Sequence, residues 1–325
     1  MEAIHLANRF DEWLGSLNPT DKFFVQISFR SVHKPFVASP DLRQACINNE
    51  VCNDLGRAKT SLELDYGGCV HSIDQAVGLI RASLRARRPD DYANTMLIFT
   101  SDNGPEAGKK GGAGSTMGMK GRKLSMFEGL LRIPAVMEWP SVIRQNKKIG
   151  GLASIMDFSQ TFSEALRRVS GEKDINIRDG VDLFPLLTQN PDAPRPKPLG
   201  ICSCTNDENL RRSKTLCESM AMFDDDGQYK LIARRENPSR VGGLPSKAIP
   251  QFLYDVTDPI NGESNNLKGD MPDYVRNMKS RTNKWLVNVF QSFRLNCAEY
   301  YPDKKRKKTP KKKRVRRVLR ARRKL

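Results

Sequence analysis

Apolar positions along the 325-residue chain fall into runs whose spacing assigns them to elements. At the amino end, "MEAIHLANRFDEWLGSL" sets Ile4, Ala7, Phe10, the Trp13/Leu14 pair and Leu17 at helical steps with charges between them, which predicts an amphipathic helix. "KFFVQISF", residues 22 to 29, is apolar nearly throughout, as a strand buried on both faces is. Pro35 biases Lys34 away from helix, so His33 falls in an extended or turning segment just past that strand's carboxyl end. From Ser61 to Arg87, Tyr66, Cys69, Val70, Ile73, Val77, Ile80 and Leu84 recur at three- and four-residue steps, the pattern of a long helix. "TMLIFT", residues 95 to 100, reads as a second strand. Strand, helix and strand in that order form the unit of a parallel sheet.

The later pattern is more broken. "RIPAVMEWP" (132 to 140) reads as a strand and "MDFSQTFSEALRRVSG" (156 to 171) as a helix closed by glycine. "GVDLFPLL" and a proline-rich linker, "QNPDAPRPKPLG", follow. "QYKLIARR" (228 to 235) and "QFLYDV" (251 to 256) read as strands of a small antiparallel sheet, and residues 273 to 293 as a closing helix. The expected organisation is an α/β part over 1–190, a smaller α+β part over 191–302 and a disordered basic tail over 303–325.

Charge changes the picture only at the end of the chain. The net charge is +18, but residues 303 to 325 hold 15 of the 55 Lys and Arg and one of the 37 acidic residues, leaving the body near +4. The tail has no aromatic side chain to stack on bases, so it predicts polyanion or nucleic-acid binding through charge alone. Seven cysteines, with no Cys-x-x-Cys pair, exclude a zinc or redox motif of that type. No uninterrupted apolar run follows Met1, so no signal peptide is read, and no stretch approaches the ~20 apolar residues of a membrane span.

Candidate chemistry collects where the predicted strands end, the place open α/β sheets use for ligands. His33 lies past the first strand and Asp102 and Asn103 past the second. A carboxylate beside an amide carbonyl offers the hard oxygens that Ca²⁺ or Mg²⁺ takes, although "SDNG" is equally the composition of a turn. The glycine-rich stretch from Gly104 to Gly121 lacks the order of a phosphate loop, and spacing does not choose among Lys109, Lys110, Lys120 and Lys123.

The ordered series "FFVQISF…HKP", "ELDYGGCVHSIDQAVGLI", "MLIFTSDNG", "GRKLSMFEGLLRIPAVMEWPS", "MDFSQTF", "DGVDLFPLL" and "LYDVTDP" resembles the C-terminal two-thirds of an arylsulfatase-type sulfatase, from about residue 20 to 290. The resemblance implies an alkaline-phosphatase-like α/β sandwich with a mostly parallel central sheet, its N-terminal part missing, and a smaller α+β C-terminal subdomain. It implies hydrolysis of aryl or sugar sulfate esters by a formylglycine beside Ca²⁺. Asp102 and Asn103 match metal ligands, and His33 matches the histidine that helps the leaving oxygen depart. Lys123, five residues before Glu128, matches the lysine that holds the sulfate.

Two departures bear on activity. The C/S-x-P-x-R motif that supplies formylglycine occurs nowhere in the chain, and "EGG" has become "EGL" at Leu130. The chain is therefore expected to be inactive alone, as a fragment or a truncated relative with exposed sheet edges. The alternatives are a catalytically dead sulfatase-like protein and a polyanion binder acting through its tail. The family suggests a lysosomal or extracellular setting, and the sequence itself carries no compartment signal.

Overall fold

The computed structural model describes residues 2–48, 59–107, 112–171, 179–203, 219–236 and 247–297. Lys109, Lys110 and the basic tail lie outside them. Helices α1 (Glu2–Ser16), α2 (Pro40–Asn48), α3 (Ser61–Arg87) and α4 (Pro89–Tyr92) precede strand β1 (Leu97–Thr100). Helix α5 (Glu128–Leu131), strand β2 (Ala135–Glu138), helix α6 (Asp157–Ser170) and a π-helical turn (Pro185–Gln189) follow. Strands β3 (Leu199–Ser203), β4 (Ser219–Phe223), β5 (Tyr229–Arg235) and β6 (Ala248–Asp255) then lead to a 3-10 turn (Gly262–Ser264) and helix α7 (Pro272–Cys297). The chain is α/β and divides into two compact units. One comprises 1–199, 223–230 and 254–267, the other 200–222, 231–253 and 268–325.

In the first unit α3 is the organising element. Thr60 caps it: its side chain accepts from Glu63 N while the Glu63 carboxylate accepts from Thr60 N, the reciprocal pairing that starts a helix cleanly. Its buried stripe, Gly68, Ser72, Ala76, Ile80 and Leu84, recurs every four residues and is built largely of small side chains. Ala76, Ile80 and Leu84 pack against Ala3, Ala7, Phe10 and Leu14 of α1. A methyl group on Gly68 would lie 2.6 Å from the Ala38 Cβ, so the glycine is what lets the segment before α2 approach. The larger Val70, expected in the stripe, is exposed instead.

Residues 22–29 do not form the expected buried strand. They join no ladder among the described residues. Phe23, Ile27 and Phe29 pack on the α1/α3 cluster, while Phe24 is 72% exposed and Val25 41%. β1 pairs antiparallel with β2, Leu97 opposite Glu138 and Thr100 opposite Ala135. The parallel unit expected from residues 22–29, α3 and β1 is thus not formed among the described residues. The apolar run follows from one face packed on helices, and a strand forms only where a neighbour takes its backbone groups.

The β1–β2 ribbon is tied to α3 and α4 by one carboxylate. Glu138 accepts from Arg81 Nε at 2.7 Å and Nη2 at 3.1 Å and from the Tyr92 hydroxyl. Burial pushes the Glu138 carboxyl up, but Arg81, Tyr92 and Arg85 outweigh it, and the net shift is below the ordinary glutamate value. Later in this unit Asp157, fully buried at the start of α6, binds Arg195 through both oxygens at 2.6 Å each. It also accepts from Ser154 N at 2.7 Å and Val181 N at 2.9 Å, and Gly171 closes α6 in the left-handed conformation.

The second unit holds the body of the four-stranded sheet, in the order β3-β4-β5-β6. A short link joins β4 to β5, too short for a crossover, so these two form a hairpin. Met220, Ala233 and Ala248 pack with Leu286 of α7. Gly200 in β3 is required by the Trp285 indole, which a methyl group would meet at 2.4 Å. Cys202 is disulfide-bonded, and Cys46 and Cys69 of the first unit are buried.

Two outcomes are expected. Ile80→Ala costs about 2–5 kcal/mol in urea unfolding, whereas Phe24→Ser changes stability by about 1 kcal/mol or less, because the ring is mostly exposed and meets Phe162 edge-on. With the folded Glu138 value depressed, its contribution is present above the free glutamate pKa of roughly 4.3 and is lost as pH falls through the folded value. The stability gap between wild type and Glu138→Gln, measured across that range, narrows on acidification.

Candidate functional site

Three segments far apart in sequence are joined by backbone contacts in the first unit. The loop after β1, "SDNGPE", is held to α5 by a hydrogen bond from Gly104 N to Leu130 O at 2.9 Å. No side chain fits at this crossing: a methyl group on Gly104 would sit 2.0 Å from Gly129 O, and one on Gly129 would sit 2.6 Å from Gly121 O. Lys123 N donates to Pro105 O at 2.9 Å, which brings the lysine loop against the same strand end. Lys34, next to His33, forms an ion pair with Glu106 and ties the histidine turn to that loop as well.

Tyr66 of α3 braces the group from below. The Phe36 ring meets it edge-on at 5.3 Å, and a methyl group on Gly114, whose φ of +91° few other residues adopt, would lie 2.8 Å from the Tyr66 hydroxyl and 3.0 Å from the Pro105 Cβ. Burial pushes the Tyr66 phenol above its ordinary value, so it stays neutral here.

The sequence-predicted residues present themselves as follows. His33 is exposed, and its Nδ1 lies 2.9 Å from Lys34 O. A carbonyl only accepts, so Nδ1 carries a proton and Nε2 is the nitrogen left for chemistry. Asp102 is exposed. Asn103 is half-buried, its side-chain Nδ2 donating to Gly104 O at 3.0 Å and its backbone carbonyl accepting from Ser101 Oγ at 2.9 Å. Lys123 is half-buried. Lys120 is engaged differently: its Nζ donates to the Tyr254 hydroxyl and to Glu263 O, both at 3.1 Å, and stands over the Phe127 and Tyr254 rings at 4.8 and 5.0 Å.

Sequence reasoning missed a buried charge cluster behind the lysine loop. Lys230 is fully buried with its Nζ 2.6 Å from Glu128 Oε1 and 2.6 Å from Glu263 Oε1. Glu263 Oε2 accepts from Glu128 N at 2.9 Å, and Glu128 Oε2 accepts from Arg132 Nε at 2.8 Å. Two cations and two carboxylates balance. The available signal was a lysine inside the apolar strand "YKLIA", a position that buries a charge only when partners are supplied.

Asp102 and Asn103 have the right chemistry for calcium but not the number. The ion takes about six to eight oxygens, and among the described residues no group of three or more His, Cys, Asp or Glu is placed to hold a metal. The donors among the described residues therefore do not by themselves make a calcium site.

Comparison with known proteins agrees with the sequence resemblance. The sulfatase family profile matches residues 3–167, half of the chain, and the chain belongs to the sulfatase family. It is 32% identical over 176 residues to steryl-sulfatase of Homo sapiens, covering 52% of this chain and 27% of that protein. It is 33% identical over 177 residues to N-acetylgalactosamine-6-sulfatase of Rattus norvegicus, covering 54% of this chain and 30% of that one. The chain thus matches well under half the length of these curated relatives. The solved structure of Ps i-CgsB in complex with k-i-k-neocarrahexaose shares the fold, with a TM-score of 0.63 at 20% identity over 87% of this chain and 54% of that one.

Gly104→Ala is expected to cost at least about 2 kcal/mol, since the facing backbone of Gly129 and Leu130 in α5 cannot yield as a side chain does. Gly78→Ala, on α3 with nothing within 4 Å of the new methyl group, stabilises by about 0.5–1 kcal/mol. Urea unfolding of the two variants checks the contrast.

Proposed function

We propose that this chain carries the sulfate-receiving part of a sulfuric ester hydrolase of the arylsulfatase type. The observation that carries the reading is the convergence of the histidine turn, the Asp102-Asn103 loop and the Lys123 loop around Pro105, within a stretch that belongs to the family. Lys123 neutralises a sulfate oxygen, and its ammonium does so more strongly where water is partly excluded. His33, with Nδ1–H directed to the Lys34 carbonyl, presents Nε2 to the ester oxygen. In the imidazolium state Nε2–H gives its proton to the departing alkoxide or phenoxide.

Asp102 and Asn103 belong to the proposal as two oxygen ligands of an incomplete set. No formylglycine precursor motif occurs in these residues, so the nucleophile is not among them. The finer fold in this proposal is an alkaline-phosphatase-like sandwich with a mostly parallel central sheet. The aryl or sugar sulfates of the family are its substrate class.

Titration of the 325-residue chain with sodium sulfate is expected to shift the NMR signals of the Lys123 side chain and the His33 ring. Sodium chloride at matched ionic strength leaves them in place, and Lys123→Ala removes the response. The same chain is expected not to hydrolyse p-nitrophenyl sulfate. Turnover by this chain, or signals at both residues that ignore sulfate, contradicts the reading.

A further inference from the structure

The buried Lys230 is spent on no step of the proposed reaction, and a fully buried ammonium is costly unless something depends on it. Its surroundings show what depends on it. Lys123 rides on the loop from Lys120 to Gly129, whose ends are pinned together by the hydrogen bond from Gly129 N to Lys120 O at 2.8 Å. Both ends are also attached to one residue on another segment, Glu263. At the leading end Lys120 Nζ donates to the Glu263 carbonyl at 3.1 Å. At the trailing end Glu128 N donates to the Glu263 carboxylate at 2.9 Å. Within the loop, Gly121 and Leu124 take left-handed φ values of +80° and +73°. Leu124 in that region, with its side chain 65% exposed, is backbone strain that the anchors must hold in place.

Glu128 and Glu263 are 2% and 1% exposed, and two carboxylates this close repel each other unless a cation stands between them. Lys230 is that cation, 2.6 Å from each. We propose that Lys230, acting through Glu128 and Glu263, is the positioning residue that fixes both ends of the 120–129 loop and so sets the place of Lys123 at the sulfate. The proposal rests on the reading of Lys123 as the sulfate-contacting lysine. It adds a second lysine that never touches the substrate and is needed for the first to reach it. The leading lysine of the loop, Lys120, is recruited to the same anchor and Arg122 Nη1 donates to Ala107 O at 3.2 Å, while the Lys123 backbone is held to Pro105.

The experiment uses the full 325-residue chain and two variants. Lys230→Met leaves two facing carboxylates buried and can fail to fold for that reason alone. The second variant, Lys230→Met/Glu128→Gln/Glu263→Gln, removes the repulsion along with the ion pairs and keeps the side-chain volumes. Amide hydrogen exchange is read at Gly104, Lys123 and Gly129, with Ile80 and Leu84 of α3 as the measure of global stability, and inorganic sulfate is titrated as the probe.

A positioning role is expected to raise exchange at the three loop amides by about tenfold or more in the triple variant while the α3 amides stay protected, because local opening is then uncoupled from global unfolding. Sulfate affinity at Lys123 is expected to fall by about tenfold, the scale of lost preorganisation of one charged contact. Equal protection of the loop amides in a folded triple variant, with sulfate affinity unchanged, overturns the proposal. Loss of protection spread evenly over loop and α3 also overturns it, since that is the mark of a purely structural ion cluster. If wild type shows no sulfate response at Lys123 while the triple variant loses loop protection selectively, the sulfate reading fails and the positioning of the loop by Lys230 stands.

Discussion

The contact on which the candidate site depends is a crossing of two backbones. Gly104 N reaches Leu130 O, and Gly129 lies so close to Gly104 and Gly121 that neither chain has room for a side chain there. This crossing converts a strand end and a loop some twenty residues later into neighbours. Asp102-Asn103 and Lys123 hang on either side of it. The hydrogen bond itself is modest, about 1 kcal/mol net. Its leverage comes from the close packing around it, since backbone approaching backbone tolerates almost no displacement.

Around that crossing the molecule spends charge in two ways. Exposed or partly exposed pairs such as Arg87 with Asp11 and Arg167 with Glu164 hold both carboxyls at about 2, yet water screens them and they add little to stability. Buried groups do something different. Asp157 with Arg195, and Lys230 with Glu128 and Glu263, each tie together segments far apart in sequence. Removing one partner from either set strands a charge in the interior, which is where single substitutions in this chain act most strongly.

How much of this was legible in the sequence follows from how local each signal is. Helix α3 was readable to its ends because its stripe and its Thr60–Glu63 cap lie within the segment. The same holds for α6, closed by Gly171. Residues 22–29 misled because an apolar run reports burial without reporting which neighbour supplies it. Phe23, Ile27 and Phe29 face helices, and the backbone groups of a strand pair only with a partner the pattern does not contain. The strand order failed for the same reason: β1 pairs with β2, more than thirty residues on, not with the earlier segment. His33, Asp102, Asn103 and Lys123 were named as site residues through ordered motifs. Lys230 was passed over because its partners lie far off in sequence and only folding brings them to it. Lys123 was chosen over Lys120 by its place five residues before Glu128 in the matched motif, while the contacts of Lys120 with Tyr254 and Glu263 were not legible there.

The central claim is that one lysine of the glycine-rich loop, Lys123, faces an anion site shared with His33. The most direct measurement is the rate of acetylation of individual lysines, read by mass spectrometry with sulfate and with chloride at equal ionic strength. Sulfate is expected to slow modification of Lys123 selectively, leaving Lys22, whose side chain is 84% exposed, at its chloride rate. Equal rates at Lys123 in the two salts, or protection of both lysines alike, contradict the account.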